Sequence, residues 1–278
     1  MDIRARNTHV VAELNYVSPQ ASRLYNYMYD PGPGTEPTNC RYDPRQCAIS
    51  DARQAAMDPC LGVQGFQLFE APTAVADFDD SIQIQDIYYP EVERLVRDLT
   101  GGTRAIVFDH QLRQREAGRP ALTFGRHGDG SKPAAVGRVH NDYSERSGRR
   151  RLQMLLPSID PHASFLILNL WRPVLYPAID TPLAVCDART VKSGDWVETD
   201  IIYPARTGEI YQARYSPDHR WSYYPEMTPQ EVLVFKTFDS RAGNPGRMVP
   251  HCAFDDPTAP ADAPPRRSIE IRCLVTLA

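Results

Sequence analysis

The sequence predicts a mainly β protein with flanking helices, a jelly roll rather than a parallel α/β sheet, and three observations predict it. Twenty-five of the 278 residues are proline, about twice the usual share. Proline cannot donate in a central ladder and breaks helix interiors, so the elements are short and joined by many turns. The strand candidates crowd into the second half of the chain, while helical periodicity is confined to two stretches before them. Hydrophobic residues at 42% and charged residues at 24% are ordinary globular values, which excludes wholesale disorder and suits one large domain.

In chain order, residues 1–60 mix aromatics with turn residues around Pro31-Gly-Pro-Gly34 and predict an extended arm packed on the core, with the domain proper at 61–278. A helix is predicted over 90–99. Val92, Leu95, Val96 and Leu99 fall on one face, Pro90 suits the first turn, and Gly101-Gly102 stops it. A strand-like run follows at 104–109. A second strand is expected over 134–139, leading into His140. Ser144 can cap a second helix over 144–156, whose stripe is Leu152, Leu155 and Leu156. Strands are then expected at 164–171, 183–187, 209–215, 231–238 and 268–277, separated by Pro, Gly and Asp turns, with a proline-rich loop over 255–265.

Several function classes lose support. A net charge of −4 supplies no basic excess for nucleic acid or an anionic membrane surface, so neither partner is expected. No apolar run approaches the ~20 residues of a spanning helix, and no export signal precedes residue 11. The six cysteines form no CxxC pair or zinc-like spacing, which points to reduced thiols and a cytoplasmic protein. Residues 125–132 carry Gly130-Ser131-Lys132 where a phosphate loop needs Gly-Lys-Ser/Thr, and GxSxG, HExxH and GxGxxG are all missing. The oligomeric state is not encoded in any pattern.

What remains is a His-x-Asp pair, present twice: His127-Gly-Asp129 in a glycine-rich loop and His140-Asn-Asp142 after the predicted strand. Residues two apart on a strand point the same way, so the second pair can converge on one metal ion. Alone it is a weak signal, since seven histidines give such a pair by chance about a third of the time. A third ligand changes the odds. Two histidines and one carboxylate make a facial triad with open positions, and His251, in a short apolar segment, is better placed for it than His162 or His219 in their turns. On the last predicted strand Arg266, Ser268, Glu270 and Arg272 share one face. There Arg266 and Ser268 form a fork for a carboxylate, and a salt-bridged edge strand is the plainer alternative.

The order His-x-Asp, distal histidine, Arg-x-Ser resembles the iron(II)/2-oxoglutarate-dependent dioxygenases. Residues His140-Asn-Asp-Tyr143, Leu168-Asn-Leu-Trp-Arg-Pro173, Pro182-Leu-Ala-Val-Cys-Asp-Ala-Arg189 and Arg267-Ser-Ile-Glu-Ile-Arg-Cys-Leu-Val275 are similar to the gibberellin-desaturase-like, aspergillic-acid-hydroxylase-like group, which includes a cephamycin hydroxylase component. The resemblance covers about residues 60 to 278 and implies a cupin-like double-stranded β-helix (jelly roll). It implies that His140, Asp142 and His251 hold Fe(II), and that Arg266 with Ser268 grips the distal carboxylate of 2-oxoglutarate, with Arg272 as the substitute. O2 would take the last iron site and a small-molecule substrate would be hydroxylated or desaturated in specialised metabolism. Asn169 either touches the keto acid or substrate, or bonds to backbone. Trp171, Arg172, Tyr211 and Trp221 are candidate substrate contacts, the last two as parts of an aromatic lid. Two rivals stand beside this reading: a jelly-roll binding module without redox chemistry, and an iron oxygenase that uses no 2-oxoglutarate.

Overall fold

The structure is a computed structural model that describes residues 8–116, 122–123 and 134–278. The chain opens with β1 (His9–Val17), β2 (Leu24–Tyr27), β3 (Tyr42–Asp51) and β4 (Phe66–Glu70). A helical segment follows as α1 (Ser81–Gln83), a π-helical turn (Ile84–Tyr88) and α2 (Tyr89–Thr100). Next come β5 (Arg104–Gln114), β6 (Leu122–Thr123), β7 (Ala135–Val136), β8 (His140–Asn141) and α3 (Glu145–Leu155). The remaining strands are β9 (Phe165–Pro173), β10 (Leu183–Cys186), β11 (Trp196–Tyr203), β12 (Arg206–Ala213), β13 (Trp221–Tyr223), β14 (Glu231–Asp239), β15 (His251–Ala253) and β16 (Arg267–Thr276).

Two sheets face each other in a double-stranded β-helix. The larger has the order β1-β3-β13-β10-β15-β8-β12-β11-β2, and the smaller β4-β14-β9-β16-β5. Alternation along β9 shows how the layers arise. Leu166, Leu168 and Leu170 pack with Ile269, Ile271 and Cys273 of β16 under Val92 and Val96 of α2. Trp171 points the other way, joining Phe235, Leu183 and Val185 between the sheets. Behind the larger sheet, Ala184, Cys186, Cys252 and Phe254 pack against Leu14, Tyr16 and Ile49 of β1 and β3. Residues 9–51 thus enter the larger sheet as strands, with β1 and β2 at its two edges. Among the described residues no helix is long and apolar enough to cross a membrane.

The helices form where the sequence places them. Pro90 sits in the first turn of α2, and Gly101 ends it with φ 66°, its N–H reaching Arg97 O. That left-handed cap needs glycine. Ser144 caps α3 in a reciprocal box with Ser147, a cap worth ~1 kcal/mol. It fixes the direction in which the chain leaves Asp142. The strand expected over 134–139 is shorter, reduced to β7, and β11 is an additional strand beyond those expected.

Candidate metal centre

His140 and His251 meet because β8 and β15 are antiparallel neighbours that place the two directly opposite, where side chains on one face nearly touch. Their ring centroids are 4.3 Å apart. Each ring turns its Nδ1 back to a carbonyl two residues earlier in the chain, His140 to Arg138 O at 2.8 Å and His251 to Val249 O at 3.1 Å. Donation there fixes the tautomer and leaves Nε2 with its lone pair. Burial first, and the neighbouring His251 second, hold His140 well below its usual pKa, so the ring stays neutral.

Asp142 completes the set, its Oδ1 lying 3.6 Å from His140 Nε2. The ligand atoms of His140, Asp142 and His251 all fall within 4.8 Å of one another. Among the described residues, His251 Nε2 is buried with no hydrogen-bond partner, which costs free energy unless something accepts the lone pair. Two imidazoles and a carboxylate, converging on one point, suit a divalent first-row metal ion. Burial alone would raise the Asp142 pKa, but the charge of Arg272, helped by both histidines and Asn169, more than reverses it and keeps the group ionised.

Asp142 is held from the opposite sheet. Asn169 Nδ2 and Arg272 Nε both donate to its Oδ2 at 2.7 Å. Asn169 and Arg272 are themselves register partners on β9 and β16. Thr237 Oγ1 donates to Asn169 Oδ1 at 3.1 Å, which orients the amide. The irregularity between Lys236 and Phe238 in β14 lies at this threonine, a common use of a bulge beside a site. Asn141, fully buried, donates to Tyr143 O and Thr237 O and pins the segment between the ligands.

The three ligands line a cavity of about 400 Å³ that Arg266, Arg113 and Arg138 also line. Arg266 Nε donates to Ser268 Oγ at 3.0 Å and Nη1 to Thr181 O at 3.0 Å, and the guanidinium packs over Trp171. Burial, then the neighbouring Arg113, push Arg266 down to about 9. Burial likewise pushes Arg113 down to about 10. Both guanidiniums stay charged, so each direction expresses a buried cation short of an anion. Arg113 stands opposite Ser268 in the β5–β16 ladder. Sequence reasoning missed it, because β5 runs on past residue 109 to Gln114.

The alternation expected on the last strand holds: Arg266, Glu270 and Arg272 line the cavity, while Ile269, Ile271 and Cys273 face α2. Other expectations need correction. Arg272, the expected substitute for Arg266, has its Nε, Nη1 and Nη2 bonded to Asp142, Asp109 and Glu270. Asn169 is bound to a metal-ligand carboxylate rather than to backbone. Arg172 follows Trp171 by one position and so emerges on the far face of β9. There it donates to Ala71 O at 2.6 Å and lies over Tyr88. Trp171 backs Arg266 instead of lining the cavity. Tyr211 stacks on Trp196, and Trp221 donates to Tyr16 Oη behind the larger sheet. Neither Tyr211 nor Trp221 lines the cavity, whose apolar lining includes Met28, Met154 and Ile201. The His127-Gly-Asp129 alternative lies outside the described residues.

Comparison with known proteins agrees with this geometry. The family model described as "Oxidoreductase/YMDC permease-like domain" matches residues 14–276. The chain is 31% identical to "Fe(II)/2-oxoglutarate-dependent dioxygenase nvfI" of Aspergillus novofumigatus (strain IBT 16806), with 95% of each chain covered. It is 30% identical to "Hydroxylase/desaturase efuI" of Hormonema carpetanum over 86% of this chain and 85% of that protein. Among solved structures, "iron and alpha-ketoglutarate-dependent endoperoxidase NvfI" superposes with a TM-score of 0.82 at 27% identity, covering 98% of this chain and 99% of that one.

Proposed function

The chain belongs to the iron(II)/2-oxoglutarate-dependent dioxygenases, and from that premise we propose that it hydroxylates or desaturates a small molecule of specialised metabolism at the centre formed by His140, Asp142 and His251. The observation that carries this reading is the buried, partnerless Nε2 of His251 facing His140 and Asp142. A binding module without metal would leave that atom's desolvation uncompensated. Within the family, the gibberellin-desaturase-like, aspergillic-acid-hydroxylase-like group is our finer assignment, on the strings at 168–173 and 267–275. Residues 61–278 hold every proposed ligand and form the catalytic unit. Ahead of that unit, residues 9–51 supply β1, β2 and β3 of the larger sheet, and Met28 lines the cavity.

His140, Asp142 and His251 would hold Fe(II). When bound, iron supplies the oxidising centre that couples O2 and 2-oxoglutarate, released as succinate and carbon dioxide, to removal of a substrate hydrogen. The protein's own residues bind, orient and shield. Arg266 grips the distal carboxylate of the keto acid, with Ser268 turning the fork and Trp171 backing it. Arg113 adds a second cation beside it, which favours a dicarboxylate co-substrate over an oxygenase that uses none. Met28, Met154 and Ile201 offer apolar contact to the body of the substrate, and the cavity is the size expected for a small organic ligand. All six cysteines are free, which supports the cytoplasm as the enzyme's location. The test is an anaerobic titration with Fe(II) and 2-oxoglutarate. A visible charge-transfer band is expected, lost in His251→Ala, and its absence in the folded wild type would overturn the reading.

A further inference from the structure

We propose that Arg272 and Asn169 act as positioning residues that force Asp142 to offer its metal a single oxygen. The inference rests on the iron reading above. Arg272 Nε and Asn169 Nδ2 both approach Asp142 Oδ2 at 2.7 Å, whereas Oδ1 is the oxygen that faces His140. A carboxylate oxygen accepts about two hydrogen bonds, so Oδ2 is saturated and Oδ1 alone is free to ligate.

The two donors come from one cross-strand pair on the sheet facing the ligands, and neither can relax without breaking something else. Asn169 is oriented by Thr237 Oγ1. Arg272 is fixed on its other two nitrogens by Glu270 and Asp109, each at 2.7 Å, in the planar fork that lysine lacks. The consequence is a count. An octahedral ion held by two imidazoles and one carboxylate oxygen keeps three open positions, two for a chelating keto acid and one for dioxygen. A carboxylate that swung both oxygens onto the ion would remove one of the three. Arg272 and Asn169 thus guard coordination sites through Asp142, without ligating the metal themselves.

Mn(II) is a suitable probe, because the number of bound waters is read from the broadening of its electron paramagnetic resonance lines in 17O-enriched water. Wild type is expected to bind one Mn(II) with three waters, and addition of 2-oxoglutarate is expected to leave one. Arg272→Leu and Asn169→Ala are expected to bind Mn(II) with two waters and to retain none once 2-oxoglutarate is added. Three waters in both variants would overturn the proposal, as would two in the wild type, a result that needs no variant to fold. Failure of the wild type to take up Mn(II) at all would remove the metal centre itself, and so separates failure of the iron reading from failure of the clamp.

Discussion

Replacing Arg266 with leucine should weaken 2-oxoglutarate and leave monocarboxylic keto acids untouched. The guanidinium is 3% exposed, and its hydrogen bonds to Ser268 and Thr181 O leave Nη2 for a ligand. A hydrogen bond to a charged group contributes about 1.5–3 kcal/mol net, and each 1.36 kcal/mol is tenfold. Loss of 2-oxoglutarate affinity is therefore expected at roughly 10- to 150-fold. Arg113 remains as a second cation, which pulls the result toward the lower end. The assay is anaerobic titration of the charge-transfer band, run in parallel with a keto acid of similar length that ends in a methyl group. The wild type should prefer the dicarboxylate strongly and the variant hardly at all. An equal loss for both acids, or a change within about threefold for 2-oxoglutarate, would refute the assignment of Arg266 to the distal carboxylate.

Three further outcomes follow from the packing. Gly148→Ala should destabilise, because the added Cβ would lie 2.5 Å from the buried Phe238 ring. Overpacking of about 1–3 kcal/mol outweighs a helix-propensity gain of up to ~1, and a raised urea midpoint would contradict this. Arg172→Leu should preserve the charge-transfer titration while lowering stability by about 1–3 kcal/mol, since Ala71 O loses its buried donor; a shifted titration would return Arg172 to the site. Asp239 governs acid stability. Burial raises its pKa, but bonds from Arg241, aided by Lys236 and Asn244, win and hold it at about 2. Its contribution, roughly 2 kcal/mol, is complete above about pH 4 and is lost as pH falls toward 2. Denaturation at pH 5 and pH 3 should show a smaller acid loss in Asp239→Asn than in wild type, and equal losses would count against it.

How much of this was legible depended on period and distance along the chain. The alternation of Arg266, Ser268, Glu270 and Arg272 against Ile269, Ile271 and Cys273 is a period-two pattern, and one strand contains all of it. Ser144 and Gly101 announced their helix ends through local chemistry. The convergence of Arg272 and Asn169 on Asp142 was not legible, because it depends on the register of β9 against β16 and on which residues of the two sheets face each other, with 130 positions between Asp142 and Arg272. Arg172 failed for a related reason: one step along a strand reverses the face, and Trp-Arg-Pro does not say which of its members looks inward. The alternation at 9–17, with Val10, Ala12, Leu14 and Tyr16 buried, is present in the sequence. The pairing of β3 with β13 is not, since that contact spans most of the chain.

The position of β16 also constrains synthesis. It lies between β9 and β5, so β5 joins its sheet only through a strand far later in the chain, and that strand carries both Ser268 and Arg272. Until it emerges, β9 and β5 present unpaired edges, the condition that invites association with other chains. A nascent polypeptide without these ten residues has every proposed iron ligand but lacks Ser268, which bonds Arg266, and the Arg272 half of the clamp on Asp142. Assembly of the proposed centre is thereby tied to the seating of β16.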